Sequence, residues 1–325
     1  MADGQWPLAI AVDALGGDDA PGAVVAGAVR AAQAGHHVIL VGPAAGIRSL
    51  IAKAGATGLS NLSVEEAPDG VAMDESPVAA LRRKPRASIR VACDLVASGR
   101  ASGVYSAGHT GAALVAAHAA FGMMPGVERP ALAVTVPTRA GRSVLLDAGA
   151  NADCRASHLA QFGLMGSVYA SVALGIAEPG VGLLSVGEEA GKGNELVKDA
   201  HVALTKMPVQ FVGNIDAAQW FHGIADVVVT DGFTGNIALK VGEAVVELVA
   251  KSLGAVNAGS TSDALGNLSY AKEGGAPLIG VNGLMVVGHG RSTADAIASG
   301  IALTATLAER RVVAKVAEAV QRVLK

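Results

Sequence analysis

The residues best suited to chemistry lie in five short segments that contain glycine. One reads Gly187-Glu-Glu-Ala-Gly191-Lys192-Gly193-Asn194, with a lysine between two glycines. A second reads Thr230-Asp231-Gly232-Phe-Thr-Gly235-Asn236, with Lys240 four residues further on. The others gather Asp13, Gly16, Gly17, Asp18, Asp19 and Pro21; Ser106, Gly108, His109, Thr110 and Gly111; and Asp147, Gly149, Asn151 and Asp153. Glycine lets backbone N–H groups approach a ligand, and the N-terminus of a following helix favours an anion. Lys192 and Lys240 would add positive charge, while Asn194, Asn236 and Asp231 would add hydrogen-bonding groups. Together the segments point to an anion-binding cleft. Each taken alone is also a turn followed by a helix cap. His289, between Gly288 and Gly290, is a further candidate.

Several familiar chemistries are excluded. The first loop lacks G-x-G-x-x-G, the dinucleotide fingerprint. The segment from Gly187 to Gly193 is one residue short of a P-loop and has glycine where Ser or Thr would ligand magnesium. Glu188 and Glu189 would repel a triphosphate. No G-x-S-x-G, H-E-x-x-H or C-x-x-C occurs. The eight histidines are scattered, which argues against a structural zinc site. Cys154 reads as a buried structural thiol before it reads as a nucleophile.

The elements that must hold these loops follow from the apolar pattern. Leu8–Val12, Val38–Val41, Gly103–Tyr105, Leu132–Val136, Val144–Leu146, Gly182–Val186, Val209–Val212, Asp226–Val229 and Leu284–Val287 read as strands. Most are continuous apolar runs, the pattern of strands covered on both faces. Helical patterns span Ala23–Gln33, Ala44–Ala54, Ser157–Ala173, Asn194–Lys206 and Ile237–Leu253. A long terminal helix opens with Ser292 and Asp295 at capping-box spacing. Such alternation implies a doubly wound α/β sheet, with ligands beyond the carboxyl ends of its strands. We expect one α/β domain over residues 8–325, with 254–275 as a variable loop or insertion.

Composition sets the class. Only 16% of the 325 residues are charged and 51% are hydrophobic, which excludes a disordered chain. The balance of 25 basic against 28 acidic residues leaves no basic stripe for nucleic acid. Two cysteines form no disulfide framework and suggest a reducing compartment. No apolar stretch reaches the roughly 20 residues of a spanning helix, so a cytoplasmic protein is expected.

In this order, the loops resemble the PlsX-type phosphate acyltransferases, the acyl-ACP:phosphate transacylases of bacterial phospholipid synthesis. The resemblance rests on Val12-Asp-Ala-Leu-Gly-Gly-Asp18, Leu81-Arg-Arg-Lys84, Ser106-Ala-Gly-His-Thr-Gly-Ala112 and Pro125-Gly-Val-Glu-Arg-Pro130. It continues through Leu146-Asp-Ala-Gly-Ala-Asn-Ala-Asp-Cys154, Gly187-Glu-Glu-Ala-Gly-Lys-Gly-Asn-Glu195, Asp231-Gly-Phe-Thr-Gly-Asn236 with Lys240, and Gly274-Gly-Ala-Pro-Leu-Ile-Gly-Val-Asn-Gly283. Any one is weak; the collinear set is specific.

The resemblance implies a three-layer α/β/α Rossmann-like fold, mostly parallel, related to the isocitrate and isopropylmalate dehydrogenases. It also implies a homodimer that moves a long-chain fatty acyl group from acyl-carrier protein to inorganic phosphate, with no cofactor and no metal. Phosphate would be the nucleophile, so positioning and charge would carry the catalysis. Lys192 and Lys240 would bind phosphate, Asn194 and Asn236 would orient the carbonyl or phosphate oxygens, and Asp231 would steer a proton or a lysine. Asp13, Gly16, Gly17, Gly108, His109, Thr110, Gly111, Asn151, Gly191, Gly193, Gly235 and His289 would line the substrate site. Arg82, Arg83 and Lys84 would dock the acidic carrier, unless they are simply a solvated helix end. The downstream membrane acyltransferase is a further expected partner.

Three departures stand out. His109 replaces the family's usual Asn, Val287-Gly288 replaces its usual Lys-Ser, and Gly254–Lys272 replaces a longer segment linked to membrane association. The shorter segment has no amphipathic stripe. Two other readings stay open: a dehydrogenase of the same broad fold that binds NAD without the fingerprint, and a catalytically weak carrier-protein or membrane scaffold.

Overall fold

Continuous apolar runs become buried strands, as expected where helices cover a parallel sheet. The computed structural model describes residues 8–254 and 274–323, so most of the expected variable segment 254–275 lies outside the described residues. In chain order come β1 (Ile10–Asp13), α1 (Gly22–Gln33), β2 (Val38–Gly42), α2 (Ala44–Lys53), β3 (Leu62–Glu66), α3 (Pro77–Arg83), α4 (Ser88–Ala97), β4 (Gly103–Ser106) and α5 (Thr110–Phe121). Next are β5 (Ala131–Leu132), β6 (Val134–Thr138), β7 (Gly141–Leu146), α6 (Ala156–Tyr169), β8 (Gly180–Leu184), α7 (Glu195–Thr205), β9 (Gln210–Ile215), α8 (Ala217–His222), β10 (Val227–Val229) and α9 (Gly232–Gly254). β11 (Ala276–Ile279), β12 (Met285–Val287) and two helices, Ala294–Glu309 and Val312–Val323, complete the described chain.

These residues group into two compact units. The first holds those up to Gly122 and those from 274 to Val313; the second holds Met123 to 254 and those from Ala314. Within the first, strands run β3-β2-β1-β4-β12-β11, all parallel except β11, which is antiparallel to β12. Register sets Val12 beside Tyr105 and Tyr105 beside Val286, so β1, β4 and β12 end side by side. Gly27 lets α1 lie close to the helix Ala294–Glu309, because a Cβ there would sit 2.7 Å from Ile297.

The second unit orders its strands β6-β7-β10-β8-β9, parallel except for the β6–β7 hairpin. Val229 pairs with both Leu146 and Leu183, which brings the ends of β7, β10 and β8 together. Gly163 and Gly166 bring α6 onto its neighbours; a Cβ would lie 2.6 Å from Leu204 or 2.7 Å from Val227, respectively. Trp220 is buried, and its Nε1 donates to Ser143 Oγ at 2.7 Å. The protein is thus α/β with mostly parallel sheets. Among the described residues, no helix is long and apolar enough to cross a membrane.

Several elements differ from the sequence expectation. The terminal helix is two helices, interrupted where Arg311 adopts φ 55°. Thr293, not Ser292, caps the first of them by accepting from Ala296 N, and Asp295 instead pairs with Arg30. α9 begins at Gly232, five residues before the expected start, because Gly232 and Gly235 serve close packing rather than a turn. β3 escapes the apolar pattern because Ser63 and Glu66 are exposed, and β11 because it contains Pro277.

Candidate active site

In the first unit, the loops after β1, β4 and β12 meet at one sheet edge. Asp13 closes β1 and is 5% exposed; its carboxylate accepts from Ser88 Oγ at 2.5 Å, Ser106 Oγ at 2.7 Å and Leu15 N at 3.3 Å. Burial raises its carboxyl above the usual range, against the lowering effect of those hydrogen bonds. Gly16 and Gly108 touch backbone to backbone: a Cβ on Gly16 would lie 2.7 Å from Gly108 N. Gly17 takes φ 123°, and Asp18 N donates to Gly290 O at 2.8 Å, tying the first loop to the last. A hollow of about 10 Å³, room for roughly one water, is lined in part by Asp13, Ser106, Gly108 and His109.

His109 caps α5, which starts at Thr110, with its Nδ1 accepting from Gly111 N at 3.1 Å. His289 repeats this geometry, accepting from Arg291 N at 3.1 Å. With Nδ1 used as an acceptor, each ring keeps its proton on Nε2, so both offer the same donor at this edge. Tyr105, near the end of β4, has a buried hydroxyl pushed up to about 12 by burial. A Cβ on Gly288 would fall 2.3 Å from that hydroxyl, which gives a physical reason for glycine at 288.

In the second unit, the organising group is Asp147, which the sequence places in a glycine-bearing loop but to which it assigns no role. It is 0% exposed and sits just beyond β7. Oδ1 accepts from the backbone N–H groups of Leu132 (3.0 Å), Gly149 (3.1 Å) and Ala150 (3.0 Å). Oδ2 accepts from Asn151 N at 2.7 Å and Asn151 Nδ2 at 2.8 Å. Burial raises the Asp147 carboxyl, and these N–H groups counter it. Asn151 Nδ2 also reaches Pro130 O at 2.7 Å, so this side chain braces the loop.

α9 docks on this loop through glycine. A Cβ on Gly235 would lie 2.0 Å from Asp147 O, and one on Gly232 2.5 Å from Asn151 O. Asn236 Nδ2 donates to Ala148 O at 3.2 Å, leaving Oδ1 open. Asp231 caps α9, taking Thr234 N on Oδ1 and Thr234 Oγ1 on Oδ2. Steering a proton would compete with that cap.

Lys192 leaves the end of β8 on an exposed loop, its Nζ 4.0 Å from Glu189 Oε1. Gly191 beside it has open space, and Gly193 takes φ 94°. Asn194 caps α7 by accepting from Val197 N at 2.9 Å, which leaves its NH2 group available. Lys240 is exposed, about 12 Å along α9 from Gly232 at 1.5 Å per residue. It makes no ion pair or hydrogen bond with the described residues. The second unit therefore places Asn151, Lys192, Asn194 and Asp231 on loops at the carboxyl end of its sheet, Asn236 in the first turns of α9, and Lys240 one turn beyond Asn236.

Arg82, Arg83 and Lys84 form the end of α3 and its first following residue. Lys84 is largely spoken for: Nζ donates to Glu75 Oε2 at 2.5 Å and to Gly70 O at 2.8 Å. The Lys84 bond is the main reason the Glu75 carboxyl lies below its usual range. Arg83 reaches the same carboxylate at 3.3 Å and Arg82 is exposed. Neither cysteine is disposed to act as a nucleophile. Burial pushes the Cys154 thiol up to about 11 and Cys93 well above its ordinary value. Among the described residues, no group of three His, Cys, Asp or Glu is placed to hold a metal ion.

Known proteins share both this chain's sequence and its fold. The family model described as "Fatty acid synthesis protein" matches residues 8–315. A phosphate acyltransferase of Desulforudis audaxviator is 47% identical over 308 residues, covering 90% of each chain. One of Heliobacterium modesticaldum is 43% identical over 325 residues, covering 96% of this chain and 97% of its own. Among solved structures, a phosphotransacetylase from Streptococcus pyogenes shares the fold with TM-score 0.65 and 21% identity, covering 93% of this chain and 94% of its own. The EutD phosphotransacetylase from Staphylococcus aureus does so at 0.62 and 18%, with the same coverage. On this evidence the chain belongs to the fatty acid synthesis protein family together with the phosphate acyltransferases, and it is an acyltransferase.

Proposed function

We propose that the protein transfers a long-chain fatty acyl group from acyl-carrier protein to inorganic phosphate, giving acyl phosphate for phospholipid synthesis. The observation that carries this reading is the carboxyl end of the second sheet. There the adjacent strands β8 and β10 lead into the Lys192 loop and into the N-termini of α7 and α9. Helix N-termini, a lysine and open glycine backbone suit a dianion. The relatives named phosphate acyltransferases support the same choice of acceptor.

In this mechanism a phosphate oxygen attacks the thioester carbonyl, forming the C–O bond through a tetrahedral oxyanion. The C–S bond then breaks, and the proton carried by hydrogen phosphate ends on the carrier's sulfur. Lys192 and Lys240 hold phosphate charge, the Asn194 NH2 group donates to an oxygen, and Asn236 Oδ1 accepts a hydrogen bond from the phosphate P–OH until that proton passes to the sulfur. Asp147 and Asn151 keep the neighbouring loop in shape. In the first unit, the glycine loops with His109 and His289 offer N–H donors of their own. Arg82 and Arg83 meet the acidic carrier. The raised cysteine thiols favour phosphate over a protein thiolate as nucleophile.

A homodimer fits the surface of α9, where Phe233, Ile237, Val241, Val245 and Leu248 recur at near four-residue spacing and are exposed. We place the enzyme in the cytoplasm, supplying the membrane acyltransferase that consumes acyl phosphate. The test is free-thiol release from long-chain acyl-carrier protein with and without phosphate. Phosphate-dependent release is expected; no release, or release indifferent to phosphate, would overturn the reading.

A further inference from the structure

The loop that carries Lys192 has little of its own to hold it. None of its residues from Ser185 to Asn194 is buried, and within the loop Lys192 N donates to Glu189 O at 2.9 Å. The same carbonyl has a second donor. Asn214, on β9 and 4% exposed, sends its Nδ2 to Glu189 O at 3.0 Å. A carbonyl only accepts, so the Asn214 amide must face it with its NH2 group. That orientation turns Asn214 Oδ1 toward His201 of α7, whose Nδ1 lies 2.9 Å away. Oδ1 also only accepts, so the imidazole proton must sit on Nδ1. The ring is set edge-on against Phe211, with centroids 5.1 Å apart at 73°.

We infer that His201 and Asn214 are positioning residues: a tether from α7 through β9 that fixes the Glu189 carbonyl and, through it, Lys192. This rests on the reading that Lys192 holds phosphate. An exposed loop whose lysine had to be ordered anew at each binding event would lose affinity. A buried amide pinning the turn's carbonyl removes that cost.

The test uses the full chain with Asn214→Asp, His201→Ala and His201→Gln. Asp at 214 keeps the shape but sets a carboxylate oxygen against Glu189 O, while Gln at 201 restores an N–H donor. Hydrogen exchange across 187–192 should quicken about fivefold or more in Asn214→Asp and His201→Ala, the effect of roughly one lost hydrogen bond. KM for phosphate should rise by a similar factor, kcat should stay within about twofold, and His201→Gln should recover much of the loss. Should Asn214→Asp fail to fold, the half-exposed His201 variants decide the matter. Unchanged exchange in the loop overturns the tether. Faster exchange with unchanged phosphate KM overturns its role in the site. If the parent protein makes no acyl phosphate, the functional reading falls, and the exchange measurements alone then support or overturn the tether.

Discussion

Two buried aspartates close strands in like positions, yet their partners differ in a way that predicts different tolerance. Asp13 is met mainly by serine hydroxyls, which can donate or accept, whereas Asp147 is met only by N–H groups. In Asp13→Asn the new NH2 group can donate to Ser106 Oγ; in Asp147→Asn it would face N–H donors. Asp147→Asn should cost about 1–3 kcal/mol in denaturant unfolding, and Asp13→Asn less. The pH dependence has a definite sign. Burial raises Asp13 in the folded state above its unfolded value of 3.8, so the native protein binds that proton more tightly. The parent therefore loses stability relative to Asp13→Asn as pH rises through the folded value. Melting at about pH 4 and about pH 7 should show the variant gaining on the parent at the higher pH; a constant difference would count against this account. Lys192→Ala should lower acyl-phosphate formation more than tenfold, since loss of one key oxyanion contact costs roughly 3 kcal/mol. Near-normal turnover would remove Lys192 from the site.

At the scale of elements, glycine decides how α9 meets the Asp147 loop. Gly235→Ala drives a methyl into Asp147 O and should destabilise by about 1–3 kcal/mol or more, read as a lower melting temperature. Gly191→Ala meets nothing and should melt like the parent, so any loss of its activity would report on ligand space rather than folding. The end of α3 makes a separate prediction. Arg82→Glu with Arg83→Glu should raise KM for acyl-carrier protein at low salt and lose its effect at high salt, as expected for steering by exposed charge. A salt-independent change would argue against docking there. Most strands and longer helices were legible because burial on both faces writes continuous apolar runs. The starts of α9 and of the helix at Ala294 were not, because packing geometry chose among several plausible caps.

For the molecule as a whole, the exposed apolar face of α9 bears on assembly. If a second copy covers it, Val241→Glu with Val245→Glu should shift the protein from dimer to monomer in sedimentation, since two charges would be buried without partners. An unchanged mass would place the dimer contact elsewhere. The candidate site was legible as a set of loops. Lys192, Asn194 and Asp231 stand just past strand ends where the alternation put them, whereas Asn236 lies inside α9 rather than in the loop before it. Their roles were less legible. Asp231 and Asn194 turned out to cap helices, Lys84 turned out to be paired with Glu75, and Asp147 emerged as the hub of its loop. A recurring signal was present in Asp13-Ala-Leu-Gly16 and Asp147-Ala-Gly149, each a strand-ending aspartate whose carboxylate folds back on the next turn.

The amino-acid sequence by itself determined the α/β alternation, the glycine-bearing loops and the lysine, asparagine and aspartate residues on them. These follow from local periodicity and from the freedom of glycine, which neighbouring residues suffice to express. Only the tertiary structure decided which groups meet. Ser88 reaches Asp13 across 75 positions and Asn214 reaches Glu189 across 25, and no local pattern encodes such pairs. Hydrogen-bond partners distant in the chain are chosen by strand order and register, and these settle only when the sheet assembles.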